Sequence, residues 1–242
     1  MINMLVIEHL DKIYKGTDKG IRDISLHVEP GDIYAFIGHN GAGKTTLLKA
    51  ITGIHEYDSG KVMVDGIDLS EDPKAVKHRI AYIPDNPDIY DFLTGIQYLN
   101  FTADIYGVSA ADREKVIADL SERFEIRESL GDLVSSYSHG MKQKLVIISA
   151  FLHSPKLIIM DEPFVGLDPK AAYVLKELMR EMTSAGGAIF FSTHVLDVAE
   201  KLCNKVAIIK NGVLITGGHM DEIVKDGTSL EDLFMETVES FS

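Results

Sequence analysis

Residues 37–46 read Ile-Gly-His-Asn-Gly-Ala-Gly-Lys-Thr-Thr, and Gly38, Gly43, Lys44 and Thr45 have the spacing G-x-x-x-x-G-K-[ST]. These residue types in this order suit one task, which is holding a chain of phosphates. Gly38, Gly41 and Gly43 let the backbone close around the anion, and the loop amides, including those of His39, Asn40 and Ala42, supply positive potential. The Lys44 ammonium should meet the β- and γ-phosphates, the Thr45 hydroxyl a Mg²⁺ ion, and the Thr46 hydroxyl the α-phosphate. The competing reading is a chance glycine-rich turn before a helix, and the flanking pattern of strand then helix speaks against it.

A second candidate site lies downstream. Residues 157–160 form an apolar strand that carries Asp161 and Glu162 out at its carboxyl end, where ligands of open α/β sheets belong. Asp161 would hold Mg²⁺ through water, and Glu162 would take a proton from an attacking water as general base. Taken alone, the acidic pair could equally cap the next helix. Its position after a phosphate loop favours chemistry.

The elements that must position these residues alternate in character. Residues 5–9, 24–28 and 32–37 have strand patterns at hairpin-like spacings, with a turn at Pro30-Gly31. A helix should start at Lys44, turn Leu47, Leu48 and Ile51 inward, and end at Gly53. Residues 61–64 and 79–83 predict further short strands. From about 94 to 152 helical periodicity takes over, with Ser109 as a cap, so this stretch is a candidate second lobe. Strands return at 157–160, 188–192 and 205–210, alternating with helices from about Pro169 and Val195, which argues for a parallel sheet covered by helices. Asn211-Gly212 predicts a tight hairpin, and a short helix should begin near Ser229, leaving no room for an added regulatory domain.

Composition narrows the function. With 24 Lys and Arg against 37 Asp and Glu, the formal charge of −13 repels a phosphate backbone, and no basic run offsets it, so nucleic acid is not an expected partner. The single Cys203 sits in an apolar periodic stretch, which excludes a disulfide framework and a cysteine zinc site and implies a reducing interior. The first residues lack a cleavage-like signal, and no segment reaches the ~20 apolar residues needed to span a bilayer. Any membrane role must come through a partner.

With these elements in order, residues 4–218 resemble the ATP-binding subunits of ABC transporters. Residues 137–145, Tyr-Ser-His-Gly-Met-Lys-Gln-Lys-Leu, look like that family's signature at a helix start, with Ser138 and Gly140 at matching positions, His139 where glycine is usual and Met141 where glutamine is usual. The resemblance implies that Ser138, His139 and Gly140 grip the γ-phosphate held by an opposing subunit. Tyr14 looks like the aromatic residue that stacks on adenine, although strand propensity alone would also place a tyrosine there. Asp168, in Gly-Leu-Asp-Pro, matches the loop through which two subunits sense each other. Ser192-Thr193-His194 resembles the switch-histidine motif, in which His194 holds the water against Glu162. Asp85 stands where most members have glutamine; a carboxylate can coordinate Mg²⁺ through water but repels phosphates more than an amide would. Ile89, Tyr90, Phe92 and Leu93 could line a groove for the membrane subunit, or pack the helical lobe internally.

The resemblance implies an α/β fold: a P-loop NTPase core of the RecA-like kind, with a mostly parallel sheet, an N-terminal antiparallel β-subdomain and an inserted helical subdomain. Residues 1–86 and 155–218 would form the core, 87–154 the helical subdomain and 219–242 a helical tail. It further implies ATP and Mg²⁺ as cofactors, ATP hydrolysis, a homo- or heterodimer of ATP-binding subunits, and a permease docked on the Asp85–Leu93 region at the cytoplasmic face of the cell membrane. The coupling stretch and signature look more like exporters of the ABC-2 kind than importers. A soluble ABC-type ATPase serving as an assembly or scaffold factor is the alternative within the superfamily. A GTPase reading fails because residues 204–207 lack the aspartate of a guanine motif, and a small-molecule kinase would not need the Ser138, Asp168 and His194 series.

Overall fold

The computed structural model describes residues 3–224 and 228–239, so part of the expected 219–242 tail lies outside the described residues. Two sheets organise the chain. β1 (Leu5–Ile13), β2 (Gly20–Val28), β4 (Ser59–Val64) and β5 (Ile67–Asp68) form an antiparallel sheet in the order β2-β1-β4-β5. The second sheet contains β3 (Ile33–Ile37), β6 (Ile80–Ile83), β7 (Leu157–Asp161), β8 (Ala188–Thr193), β9 (Lys205–Lys210) and β10 (Val213–His219), in the order β10-β9-β3-β8-β7-β6. Its pairs β9·β3, β3·β8, β8·β7 and β7·β6 are parallel, and β10 closes the edge antiparallel to β9.

The parallel strands are apolar on both faces, as strands covered by helices must be. Successive residues feed two different cores. Ala35, Ile158, Met160, Ile189 and Phe191 pack toward the helical segment, while Tyr34, Phe36, Leu157, Ile159 and Phe190 pack toward the antiparallel sheet and α1 (Lys44–Ile51). The strand period of two thus lets one sheet serve as the floor of both cores. Phe190 anchors the second core, its ring 5.6 Å from Tyr34 and 5.7 Å from Phe36.

Local signals match the elements. Leu47, Leu48 and Ile51 of α1 are buried as their spacing predicts, and Gly53 adopts the left-handed conformation just past the helix end, at φ 66°. Asn211 (φ 50°) and Gly212 (φ 80°) form the two-residue turn between Lys210 and Val213. Between 94 and 152 the chain is helical: α3 (Gly95–Ile105) with a Thr94 and Gln97 capping box, α4 (Ala110–Arg123) capped by Ser109, two short 3-10 turns, and α5 (His139–Phe151) capped by Ser138. α6 (Pro169–Ser184) and α7 (Leu196–Leu202) cover the parallel sheet. Short α8 (Met220–Ile223) follows β10, and α9 (Leu230–Glu239) is the helix expected near Ser229.

Two expectations are corrected. β2 and β3, read at a hairpin-like spacing about Pro30-Gly31, do not pair but enter different sheets, because β3 is apolar on both faces and is buried between β9 and β8. The strand predicted at 79–83 is shorter, and Arg79 instead ends α2 (Pro73–Arg79). Its start signal was present in the sequence: Asp72 accepts a hydrogen bond from the Ala75 amide at 2.9 Å, and Pro73 occupies the first helical position, where a missing N–H costs nothing.

Candidate active site

Because β6, β7, β8 and β3 run parallel, their carboxyl ends share one edge, and the loops leaving them converge there. The loop after β3 is residues 38–43, β7 ends on Asp161, β8 ends on Thr193 just before His194, and Asp85 follows β6 by two residues. The register Asp161 to Ser192 and Ile37 to Thr193 sets these ends side by side.

The loop is held by close packing. A Cβ at Gly38 would come within 2.6 Å of the Ile209 carbonyl oxygen, so only glycine fits. Gly43 has φ 111°, and a Cβ there would meet Ile21 at 2.9 Å. The hairpin turn supports the loop from below, since the Gly212 amide donates to Ala42 O at 2.8 Å. Lys44 Nζ donates to Gly38 O at 2.7 Å and lies 3.3 Å from Glu162 Oε1, with the lysine only 7% exposed. Contacts within the chain thus fix the loop and its lysine.

The acidic residues face this loop. Thr45 Oγ1 donates to Asp161 Oδ2 at 2.6 Å, and the Ser192 hydroxyl donates to Asp161 Oδ1. Burial pushes the Asp161 carboxyl above its usual range, with the Asp85 and Glu162 carboxylates adding to the rise against the lowering effect of the two hydroxyls. Glu162 stands at φ 47°, fixed by its amide donating to Ser192 Oγ at 3.1 Å and Ser192 O at 3.2 Å. Its Oε2 lies 2.9 Å from His194 Nδ1 and accepts from the His194 amide at 3.3 Å. Its Oε1 is buried and accepts no hydrogen bond, because the nearby Lys44 ammonium is not aligned to donate to it.

A cleft of about 300 Å³ is lined by Tyr14, the phosphate loop with Lys44, Thr45 and Thr46, Asp85, Asp161 and Glu162, while His194 and Ser192 stand behind Glu162 and Asp161 outside its lining. Asp85 is exposed, and its Oδ1 accepts from the Asn86 amide at 2.9 Å. The donor set toward a metal is all oxygen, which suits Mg²⁺. Among the described residues, no cluster of three or more His, Cys, Asp and Glu could hold a metal. A cation here would therefore need phosphate oxygens and water as further ligands, the usual manner of Mg²⁺ binding.

Ser138, His139, Gly140 and Asp168 do not line that cleft. They form a second cluster. His139 packs over Gly166, where an added Cβ would fall 2.6 Å from the imidazole, and Ser138 caps α5 by accepting from the Met141 amide at 3.3 Å. Asp168 caps α6 through the Ala171 amide at 2.8 Å and pairs with Lys144 of α5 at 2.7 Å. The Lys144 ammonium beside it, followed by that amide, holds the Asp168 carboxyl below the usual carboxylate range.

Residues 21–165 match the family described as ABC transporter. The chain belongs to the ABC transporter ATP-binding family. The ABC-type transporter ATP-binding protein EcsA of Bacillus subtilis is 37% identical over 221 residues, covering 89% of each chain. A solved ATP-binding subunit of an ABC transporter superposes with a TM-score of 0.92 at 36% identity, covering 97% of this chain and 99% of that one. An ATP-binding cassette solved as a dimer in a post-hydrolysis state bound to ADP and Pi shares the fold, with a TM-score of 0.81 and 19% identity, over 90% of this chain and 99% of that one.

For this ABC ATP-binding protein, the phosphate loop, Asp85, Asp161 and Glu162 line one cleft with His194 set against Glu162, and Ser138, His139, Gly140 and Asp168 gather outside that lining. Ile89 packs against the core beneath the helical segment, whereas Tyr90 and Phe92 stand 51% and 74% exposed with their rings 5.7 Å apart. Internal packing therefore accounts for Ile89, while Leu93 is half-buried and Tyr90 and Phe92 are left largely to solvent. No helix among the described residues is long and apolar enough to cross a membrane. Two contributors carried little sequence signal. Ser192 reaches Asp161 only through the β7 and β8 register, and Lys144 reaches Asp168 only because the folded chain brings that part of α5 to the residue that caps α6.

Proposed function

We propose that this ABC transporter ATP-binding subunit hydrolyses ATP, with Glu162 as general base, His194 as the group that orients the water, and Lys44 as the γ-phosphate contact. The observation that carries the reading is Glu162 Oε1: a buried carboxylate oxygen without a hydrogen bond, 3.3 Å from Lys44, at the cleft beside the phosphate loop. Its other oxygen is occupied by His194, so the carboxylate is aimed while one lone pair is left for a proton. Tyr14 would stack on adenine, the 38–43 amides and Thr46 would hold the phosphates, and Thr45, Asp161 and Asp85 would hold Mg²⁺. When bound, that ion offsets the negative charge of the phosphates.

Two copies, or this chain and a relative, would close head to tail so that Ser138, His139 and Gly140 of one meet the γ-phosphate held by the other, with Asp168 at the shared interface. The placement of Ser138, His139 and Gly140 outside the lining of the chain's own cleft supports this reading, since a signature not used there is free to serve a neighbour's. The helical segment 87–154 would be the moving subdomain on a core of 1–86 and 155–218, with 219–242 as its tail. The exposed pair Tyr90 and Phe92, beside Asp85, would meet a permease at the cytoplasmic face of the membrane, and the cycle would drive transport, in the export direction.

The test uses the full chain with Glu162→Gln. Adding ATP and Mg²⁺ should shift it from monomer to dimer in analytical ultracentrifugation, and ADP should not. A monomer under saturating ATP would overturn homodimer closure. Magnesium-dependent ATP hydrolysis by the unaltered chain, absent in excess chelator, tests the ATPase assignment. Cofractionation with membranes upon coexpression with the neighbouring gene product separates a transporter subunit from a soluble assembly factor.

A further inference from the structure

We propose that His55 is a positioning residue for the nucleobase, holding the ring of Tyr14 in place as the platform on which adenine stacks. The inference rests on the stacking role proposed for Tyr14. Tyr14 directly follows β1 and lines the same cleft as the phosphate loop. Its hydroxyl lies 3.2 Å from His55 Nδ1 and 3.4 Å from Thr46 Oγ1, and the two rings meet edge to face with centroids 6.1 Å apart. A hydroxyl can donate once and accept at the same time, so both contacts can be made together.

The placement of His55 is itself fixed. Its amide donates to Lys49 O at 2.9 Å, which ties it to the last turn of α1, the helix that begins with Lys44. Three residues on, the Asp58 carboxylate accepts from the Ile13 amide at 2.7 Å and anchors the backbone immediately before Tyr14. Thr46 near the start of α1 and His55 just past its end therefore hold one tyrosine hydroxyl between them. The platform is thereby tied in register to the phosphate loop.

The physical consequence concerns entropy. Tyr14 is 36% exposed, and an exposed ring without fixed partners samples several rotamers that must be given up on binding. Holding it beforehand removes that loss from the binding step. The effect should fall on the base and spare the phosphates, which are held by other groups.

The experiment compares ATP with inorganic tripolyphosphate on the full chain. His55→Ala and His55→Gln should weaken ATP binding about fivefold, the scale of one hydrogen bond, and raise KM with kcat held, while tripolyphosphate affinity stays unchanged. His55→Asn should restore affinity, because its amide places a polar atom where Nδ1 stands, whereas glutamine reaches only the Nε2 position. On a Tyr14→Ala background, His55→Ala should cost nothing further. Equal weakening of both ligands would make His55 merely structural and overturn the inference. Full ATP affinity in His55→Ala alongside weakened ATP binding in Tyr14→Ala would overturn it alone. Full affinity in both would overturn the stacking role of Tyr14 as well.

Discussion

Nδ1 of His194 lies 2.9 Å from Oε2 of Glu162, and the amide of the same histidine donates to that oxygen at 3.3 Å. One residue therefore brings both its ring and its amide to one carboxylate oxygen, the amide as the hydrogen-bond donor. Glu162 meets them in the left-handed region at φ 47°, a conformation that costs a non-glycine residue about 1–2 kcal/mol. The two hydrogen bonds of its amide to Ser192 oppose that cost and turn the side chain toward Lys44 instead of along the strand.

Replacing Glu162 by glutamine keeps the shape and removes the base. Steady-state turnover should fall by about 100-fold or more, the contribution of a positioned base, while ATP affinity is retained. A coupled phosphate-release assay with ATP titration reads both, and near-normal turnover would remove Glu162 from the base role.

Asp161 makes a prediction about stability. Burial raises its pKa, so the stabilisation linked to its protonated form is fully present below the unfolded value of 3.8 and is lost as pH rises through the higher folded value. At neutral pH the ionised, buried carboxylate is unfavourable until a cation joins it. Asp161→Asn should therefore raise the Tm of the nucleotide-free chain at pH 7 by a few degrees, flatten its decline above about pH 4, and abolish magnesium-dependent stabilisation by ATP. Melting curves across pH decide this, and a lower Tm for the variant at pH 7 would contradict it.

Asp85 puts a carboxylate beside phosphates. Because it is exposed, solvent screens it, and Asp85→Gln should tighten binding of magnesium-free ATP only about twofold at low salt and less at high salt, while reducing the gain in affinity that Mg²⁺ brings. Titrations at two ionic strengths, with and without Mg²⁺, test both signs; an unchanged gain from Mg²⁺ in the variant would remove Asp85 from the metal site.

The contact between α5 and α6 separates two roles of one side chain. Asp168→Ala loses the cap on Ala171 and the Lys144 pair and should cost about 1–2 kcal/mol, nearly all of it the cap. Asp168→Asn keeps an acceptor for the cap and should cost about 0.5 kcal/mol, no more than Lys144→Met. Urea unfolding of the three variants measures the division, and an equal loss in all three would mean that the pair outweighs the cap.

Gly38 offers a steric test. An alanine there drives its Cβ into the carbonyl oxygen of Ile209, a residue of β9, which is flanked by β3 and β10, so Gly38→Ala should destabilise by about 1–3 kcal/mol and weaken ATP binding. Denaturation and nucleotide titration should both show the loss; an unchanged midpoint would indicate that the loop relaxes around the methyl group.

Much of this molecule follows from local rules that need no partner. The glycine and lysine spacing of 38–45, the inward Leu47, Leu48 and Ile51, the turn at Asn211-Gly212, and the caps Ser109 and Ser138 depend on backbone geometry within a few residues, so the chain alone declares them. The short α2 escaped because seven residues give little periodicity, although Asp72-Pro73 marked its start. What only the tertiary structure decided is who meets whom across long separations. Strand register sets Ser192 against Asp161, the parallel order brings Asp85, Asp161 and the phosphate loop to one edge, and the end of α1 delivers His55 to Tyr14. Register and crossing are properties of the packed sheet as a whole, because apolar strands buried on both faces carry no polar alternation to announce their neighbours.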